Sequence, residues 1–181
     1  GSERLRRASA RATAGLGFDG YAHGGLGLGE SRAARSDLVA AVHAELPEAA
    51  PRYLMGLGRP LDLLDGVAAG VDLFDCVLPT RHGRHGVLFT SRGLLRIRNA
   101  RFRDDATAPD PECDCPLCSR HSRAYLSFLV RSGEALGARL ASLHNLRFYL
   151  RLLELARRAV AAGALAELRA RFEQLAEAPA A

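Results

Sequence analysis

The stretch "RYLMGLGRPLDLLDGVAAGVDLFDCVLP", residues 52–79, decides the fold. "RYLMGLG" is short, apolar and punctuated by glycines, as a buried strand is. "RPLDLLDGVAAG" reads as a compact helix with Pro60 near its first turn, and "VDLFDCVLP" is again a strand. Strand, helix and strand at this spacing make a βα unit of a parallel sheet.

The same rhythm extends toward the N-terminus. "ERLRRASARATAG", residues 3–15, is Ala/Arg-rich and helical, with Gly15 as a C-cap. "LGFDGYA" then reads as a strand that runs into the glycine-rich loop "HGGLGLGE". In the helix that follows, Leu38, Val39, Val42 and Leu46 share one face, and Pro47 and Pro51 close it. The fold class is therefore α/β, with about three βα units. Each strand carries its chemically suggestive residues at its C-terminal end: Gly24, Gly25 and Leu26, then Met55 and Gly56, then Asp75 and Cys76. In (β/α) barrels that edge is where sites are built. Three units are too few to close an eight-stranded barrel, so the sheet is open or the chain is part of something larger.

Beyond Pro79 the pattern changes. "GVLFT" and "GLLRIRN" alternate about a Ser91–Gly93 turn as a hairpin does. A cysteine-rich loop follows, then helices near 122–131, 133–143 and 146–161, and an amphipathic helix to about 176. The division expected is a partial barrel over 1–80, a hairpin and metal-binding subdomain over 81–145, and C-terminal helices over 146–181.

Composition narrows the setting. Of the 181 residues 48% are apolar, enough for a real core. No window is apolar enough for a membrane span, and "GSERLRRASARATAG" lacks the apolar centre of a signal peptide, so a cytoplasmic, non-membrane protein is expected. The net charge is +5, and all 25 basic residues are arginine. Between Arg81 and Arg103 stand seven arginines and no acid, a local field that attracts phosphate or simply a solvated face.

"ECDCPLCSR", residues 112–120, holds three of the four cysteines: Cys113, Cys115 and Cys118. A disulfide knot and a redox pair are the alternatives, but thiols stay reduced in the cytoplasm and clustered ones more often hold metal. Zinc takes four tetrahedral sulfur or nitrogen ligands, and the fourth must come from Cys76 or one of six histidines. His144 in "SLHNL" fits best, at a hinge between two helices that folds back on the loop. A closed set of three cysteines and one histidine leaves no open position, so the Zn2+ is expected to be structural, one per chain.

Six segments in order, "GFDGYAHGGLGLGE", "RYLMGLG", "GVDLFDCVLPTRHGRHG", "IRNARFRDD", "DPECDCPLCSRHSRAYL" and "LGARLASLHNLRFY", together resemble the bacterial tRNA-guanine transglycosylases. The resemblance runs from about Leu5 to Phe172. It implies the C-terminal part of a (β/α)8 TIM barrel carrying a zinc-binding subdomain. It also implies exchange of guanine at the first anticodon position for a 7-deazaguanine precursor of queuosine through a covalent ribose–enzyme intermediate. Asp75 matches the family nucleophile. Gly25 and Leu26 match the loop whose backbone meets the base, and Met55 the residue that covers the base's face. Leu28 matches a position whose bulk suits the 7-aminomethyl base. Arg81 and Arg84 match residues that read the uridines flanking the target, and Arg59 one that meets the anticodon loop. The implied partners are GUN-anticodon transfer RNAs (Asp, Asn, His and Tyr), the precursor base and a second copy of the chain. The family's general acid and its base-reading aspartate and glutamine fall on strands before residue 1. The alternative is a truncated, inactive relative acting as a zinc-containing tRNA-binding or dimerisation module.

Overall fold

The computed structural model describes residues 2–27 and 29–177 and divides into two compact units, Gly1–Cys76 and Val77–Ala181.

In the first unit, helix α1 (Glu3–Ala14) is capped by the Ser2 hydroxyl at its start and ends at Gly15. Strands β1 (Tyr21–His23), β2 (Arg52–Leu54) and β3 (Leu73–Phe74) form one parallel sheet in that order, with His23 opposite Leu54 and Leu54 opposite Phe74. Helix α2 (Arg32–His43) joins β1 to β2 and α3 (Pro60–Ala68) joins β2 to β3, as the sequence rhythm requires. The Ser31 hydroxyl caps α2 by accepting from the Ala34 N–H at 3.2 Å. Pro60 occupies the first turn of α3, where its missing N–H costs nothing. Leu38 and Val39 of α2 bury against Leu54 and Val71, with Leu26 and Leu57 completing the cluster. Gly66 is glycine because a Cβ there would stand 2.6 Å from the Phe74 ring. The strands are shorter than read from sequence, and the third does not run on to Pro79. The chain turns instead into a helix at Leu78.

That helix, α4 (Leu78–Arg84), opens the second unit and begins inside the stretch "VDLFDCVLP" read as a strand. "PTRHGRHG" has no apolar period of its own. What holds it is a close approach to helix α7 (Ala135–Ala161): a Cβ on Gly83 would lie 2.5 Å from the Ser142 hydroxyl and 2.7 Å from its backbone nitrogen. The hairpin forms as read, β4 (Val87–Thr90) pairing antiparallel with β5 (Gly93–Arg96) across a turn at Ser91 and Arg92. Helices α5 (Pro116–Arg120), α6 (Arg123–Arg131) and α8 (Leu165–Glu177) complete the unit. Its core joins Leu88, Leu95 and Ile97 of the hairpin region to Leu117, Leu126 and Leu140 of the helices.

Two sequence expectations need correcting. The helices read at 133–143 and 146–161 are one 27-residue helix, α7, and His144 sits in its interior rather than at a hinge. The polar His144–Asn145 pair that looked like a break is fully buried and satisfied by its neighbours. Asn145 accepts from the Phe89 N–H at 3.0 Å and donates to the carbonyls of Pro79 at 2.9 Å and Val87 at 3.0 Å. It thus ties α7 to α4 and β4. Its loss leaves the buried Phe89 N–H without its partner and weakens the hold on the Pro79 and Val87 carbonyls, a buried orphan costing roughly 1–3 kcal/mol. Asn145→Leu is therefore expected to lower the unfolding free energy of this unit by about 3 kcal/mol or more in urea. A loss under about 1 kcal/mol would show that water or relaxation replaces those bonds.

Candidate metal centre and strand-end site

The cysteine loop reaches α7 because its first residues are anchored to the hairpin turn. The Asp110 carboxylate is buried and accepts from the Ser91 N–H at 3.0 Å, the Ser91 hydroxyl at 2.7 Å and the Glu112 N–H at 3.1 Å. Pro116 then starts α5, and Cys118 lies on its buried side. Asp114 pairs with Arg147 through two bonds of 2.7 and 2.9 Å, clasping the loop onto α7 from outside.

Cys113, Cys115, Cys118 and His144 converge so that their four donor atoms lie within 4.8 Å of one another. The Nδ1 of His144 stands 3.5 Å from the Cys115 sulfur and 3.3 Å from that of Cys118. Sulfur and nitrogen bound tetrahedrally to one zinc are about 3.5 Å apart, so the spacing suits a shared ion. The other ring nitrogen, Nε2, is 2.8 Å from the Phe89 carbonyl. Donation from Nε2 to that carbonyl fixes the tautomer and leaves the Nδ1 lone pair facing the sulfurs, as a metal ligand requires. Bonds from Cys113 and Cys118 draw the Cys115 thiol well below its ordinary range, while bonds from Cys113 and Cys115 push Cys118 up. Two buried sulfurs and the half-buried Cys113 sulfur at such range compete for protons, and one divalent cation would relieve all three. The four residues can hold one metal ion, with the His144 ring oriented by the Phe89 carbonyl.

In the first unit the strand ends bring another set together. Extending the register of β2 and β3 by one residue places Met55 opposite Asp75. Asp75 is exposed, and its Oδ1 accepts from the Tyr53 hydroxyl at 2.6 Å and the Gly56 N–H at 2.9 Å. The Tyr53 hydroxyl, with a lesser part from Gly56, holds this carboxyl below the ordinary aspartate range, and Asp75 in turn holds Tyr53 above the ordinary phenol. Met55 is 46% exposed, unlike a core methionine, and its N–H donates to the His23 carbonyl at 3.2 Å. A Cβ on Gly24 would stand 3.9 Å from the Met55 sulfur, so the glycine loop and Met55 are neighbours. Leu26 turns its side chain into the core, leaving only its backbone to the loop face. Asp72 accepts from the Arg52 N–H at 2.8 Å and is structural. Leu28 lies outside the described residues.

Arg59, at the start of α3, is exposed, as are Arg81 and Arg84 on α4, and none makes an ion pair among the described residues. His82 of α4 stacks on Phe89 at 5.1 Å between ring centroids. Sequence reasoning missed Tyr53. The signal was available in principle, because a period of two puts Tyr53 and Met55 on one face of β2. Among the described residues no helix is long and apolar enough to cross a membrane.

A family model described as Queuine tRNA-ribosyltransferase matches residues 1–178. A queuine tRNA-ribosyltransferase of Thiobacillus denitrificans is 53% identical over 170 residues, covering 94% of this chain and 46% of the relative. One from Shewanella frigidimarina is 52% identical over 163 residues, covering 90% and 44%, and one from Tolumonas auensis is 48% identical over 177 residues, covering 98% and 48%. The chain spans about half the length of these relatives and matches their C-terminal portion.

Proposed function

The chain belongs to the queuine tRNA-ribosyltransferase family, and on that premise we propose that it carries the nucleophile of a tRNA-guanine transglycosylase. The reaction would replace guanine at the first anticodon position of GUN-anticodon transfer RNAs by 7-aminomethyl-7-deazaguanine. The observation that carries this reading is Asp75: an exposed carboxylate at the C-terminal end of a parallel strand, with one oxygen held by two donors.

With Oδ1 committed to Tyr53 and Gly56, Oδ2 is the oxygen proposed to attack the ribose C1′. The C1′–N9 bond of guanine breaks as the C1′–O bond forms, and the departing base takes the electron pair and a proton. The N9 nitrogen of the incoming base then attacks C1′, displaces the carboxylate and gives up its proton. Met55 would cover one face of the base, Gly25 and Leu26 would meet its edge through their backbone, and Leu28 would bear on the substituent. The proton donor and the side chains that read the rest of the base are proposed to come from the part of the relatives' length that this chain does not span. In the same reading β1–β3 with their helices are three repeats of an eight-stranded barrel.

Arg59, Arg81 and Arg84 are the proposed contacts to the anticodon loop, where arginine serves both phosphate and base edges. The metal is proposed to be Zn2+, held structurally because the closed donor set leaves no position for substrate. Exposed Phe128 of α6, with Tyr125 stacked on His121 beside it, is the proposed face for a second copy of the chain. The full-length product of the gene is expected to incorporate labelled guanine into a GUN-anticodon transfer RNA. Self-association and RNA binding without incorporation would instead leave a zinc-containing binding module.

The lowered pKa of Asp75 gives a pH test. A carboxylate held below its ordinary range stays ionised, and able to attack, as the pH falls through that range. Tyr53→Phe removes the larger of the two bonds that keep it so. The acid limb of exchange activity is expected to move to higher pH in this variant, with kcat reduced about tenfold. An unmoved limb would mean that Tyr53 does not set the charge of Asp75.

A further inference from the structure

We infer that Arg6 is a positioning residue of the glycine loop, holding the Gly25 and Leu26 amides outward as paired donors for the oxo edge of a purine-type base. The inference rests on the functional reading above and deepens it.

The guanidinium of Arg6 donates from one nitrogen to the Gly24 carbonyl at 3.1 Å and from the other to the Gly25 carbonyl at 2.7 Å. No peptide bond among the described residues is cis. In a trans peptide the carbonyl and the N–H of the next residue point in opposite directions. Drawing the Gly24 carbonyl toward Arg6 therefore aims the Gly25 N–H away from it, and drawing the Gly25 carbonyl does the same to the Leu26 N–H. Two successive peptides face one way because Gly25 adopts φ +65°, which a side chain would resist. Successive amides in such an arrangement make a small concavity for an electron-rich oxygen. Neither amide donates to a backbone carbonyl among the described residues.

The rest of the loop is already fixed. Leu26 is anchored in the core, and the Gly27 N–H donates to the Glu30 carboxylate. Arg6 is not needed to dock its own helix either, since neighbouring Arg7 pairs with Glu45 at 3.0 Å and with Glu3 at 2.8 Å. Arg6 makes no ion pair among the described residues and directs its planar fork at two backbone oxygens, a geometry that lysine cannot copy.

The test uses Arg6→Leu and Arg6→Lys in the full-length product, with kinetics in which guanine and transfer RNA are varied separately, guanine binding by calorimetry, and amide exchange of the loop. Arg6→Leu is expected to raise the KM for guanine about tenfold or more and to weaken the protection from exchange that bound guanine gives the Gly25 and Leu26 amides. Arg6→Lys should lie between it and the wild type, while the KM for transfer RNA and the Tm stay close to wild type in both. Equal weakening toward both substrates with a lowered Tm would reveal a merely structural arginine and overturn the inference. So would unchanged guanine binding with unchanged amide exchange. A wild-type protein that neither binds nor exchanges guanine would overturn the functional reading and the inference with it, whereas wild-type binding that Arg6→Leu leaves intact would sink the inference alone.

Discussion

Asp75→Asn is expected to remove guanine exchange almost entirely, by about 10⁴-fold or more, because an amide cannot serve as the attacking carboxylate. The substitution is otherwise gentle. The asparagine oxygen can still accept from the Tyr53 hydroxyl and the Gly56 N–H, the two donors that now hold Oδ1. The site is exposed, so little packing is at stake. Folding, metal content and affinity for transfer RNA should therefore match the wild type, and the loss should appear in kcat. Should the variant retain more than a few per cent of the activity, Asp75 would be an orienting residue and another group would form the covalent link.

Breaking the metal centre should have the largest effect on stability. Cys118→Ala removes one sulfur from a set of four and leaves the others without a closed shell. His144→Ala removes both the Nδ1 ligand and the bond from Nε2 to the Phe89 carbonyl. Bound metal is expected to fall from about one ion per chain to a small fraction, and the unit Val77–Ala181 to melt about 10 °C lower or more, because metal binding free energy here is folding free energy. Chelation of the wild type should do the same and be reversed by adding Zn2+. Full metal occupancy in both variants would contradict the assignment of ligands. Because the closed set offers no open position, the metal should enter activity only through folding.

Much of this was legible in the sequence, and for physical reasons. Strand, helix and strand stand out at residues 52–79 because buried strands are short and apolar and Pro60 marks a helix start. The clustering of Cys113, Cys115, Cys118 and His144 was legible because three cysteines in six positions suit a metal wherever thiols stay reduced, although the argument that chose His144 assumed a hinge that does not exist. The loop comes to an unbroken helix, brought there by Asp110 and clasped by the Asp114–Arg147 pair. Helix α4 was not legible, since its stability comes from Gly83 lying against Ser142 and from Asn145 reaching the Pro79 carbonyl, both contacts distant in sequence. The roles of Tyr53 and Arg6 were hidden for the same reason. A period of two puts Tyr53 on the Met55 face of β2, but which strand end or loop lies beside each of the two residues is recorded in no local pattern.

The central claim is that the chain's carboxylate at Asp75 becomes covalently joined to ribose, and it can be tested directly. The full-length product, incubated with a GUN-anticodon transfer RNA, quenched in denaturant, digested with nuclease and protease and read by tandem mass spectrometry, should carry a ribose-linked nucleotide remnant on the peptide containing Asp75. The account predicts that adduct in the wild type and its absence in Asp75→Asn. A remnant on any other residue, or exchange of guanine with no adduct formed at all, would contradict it.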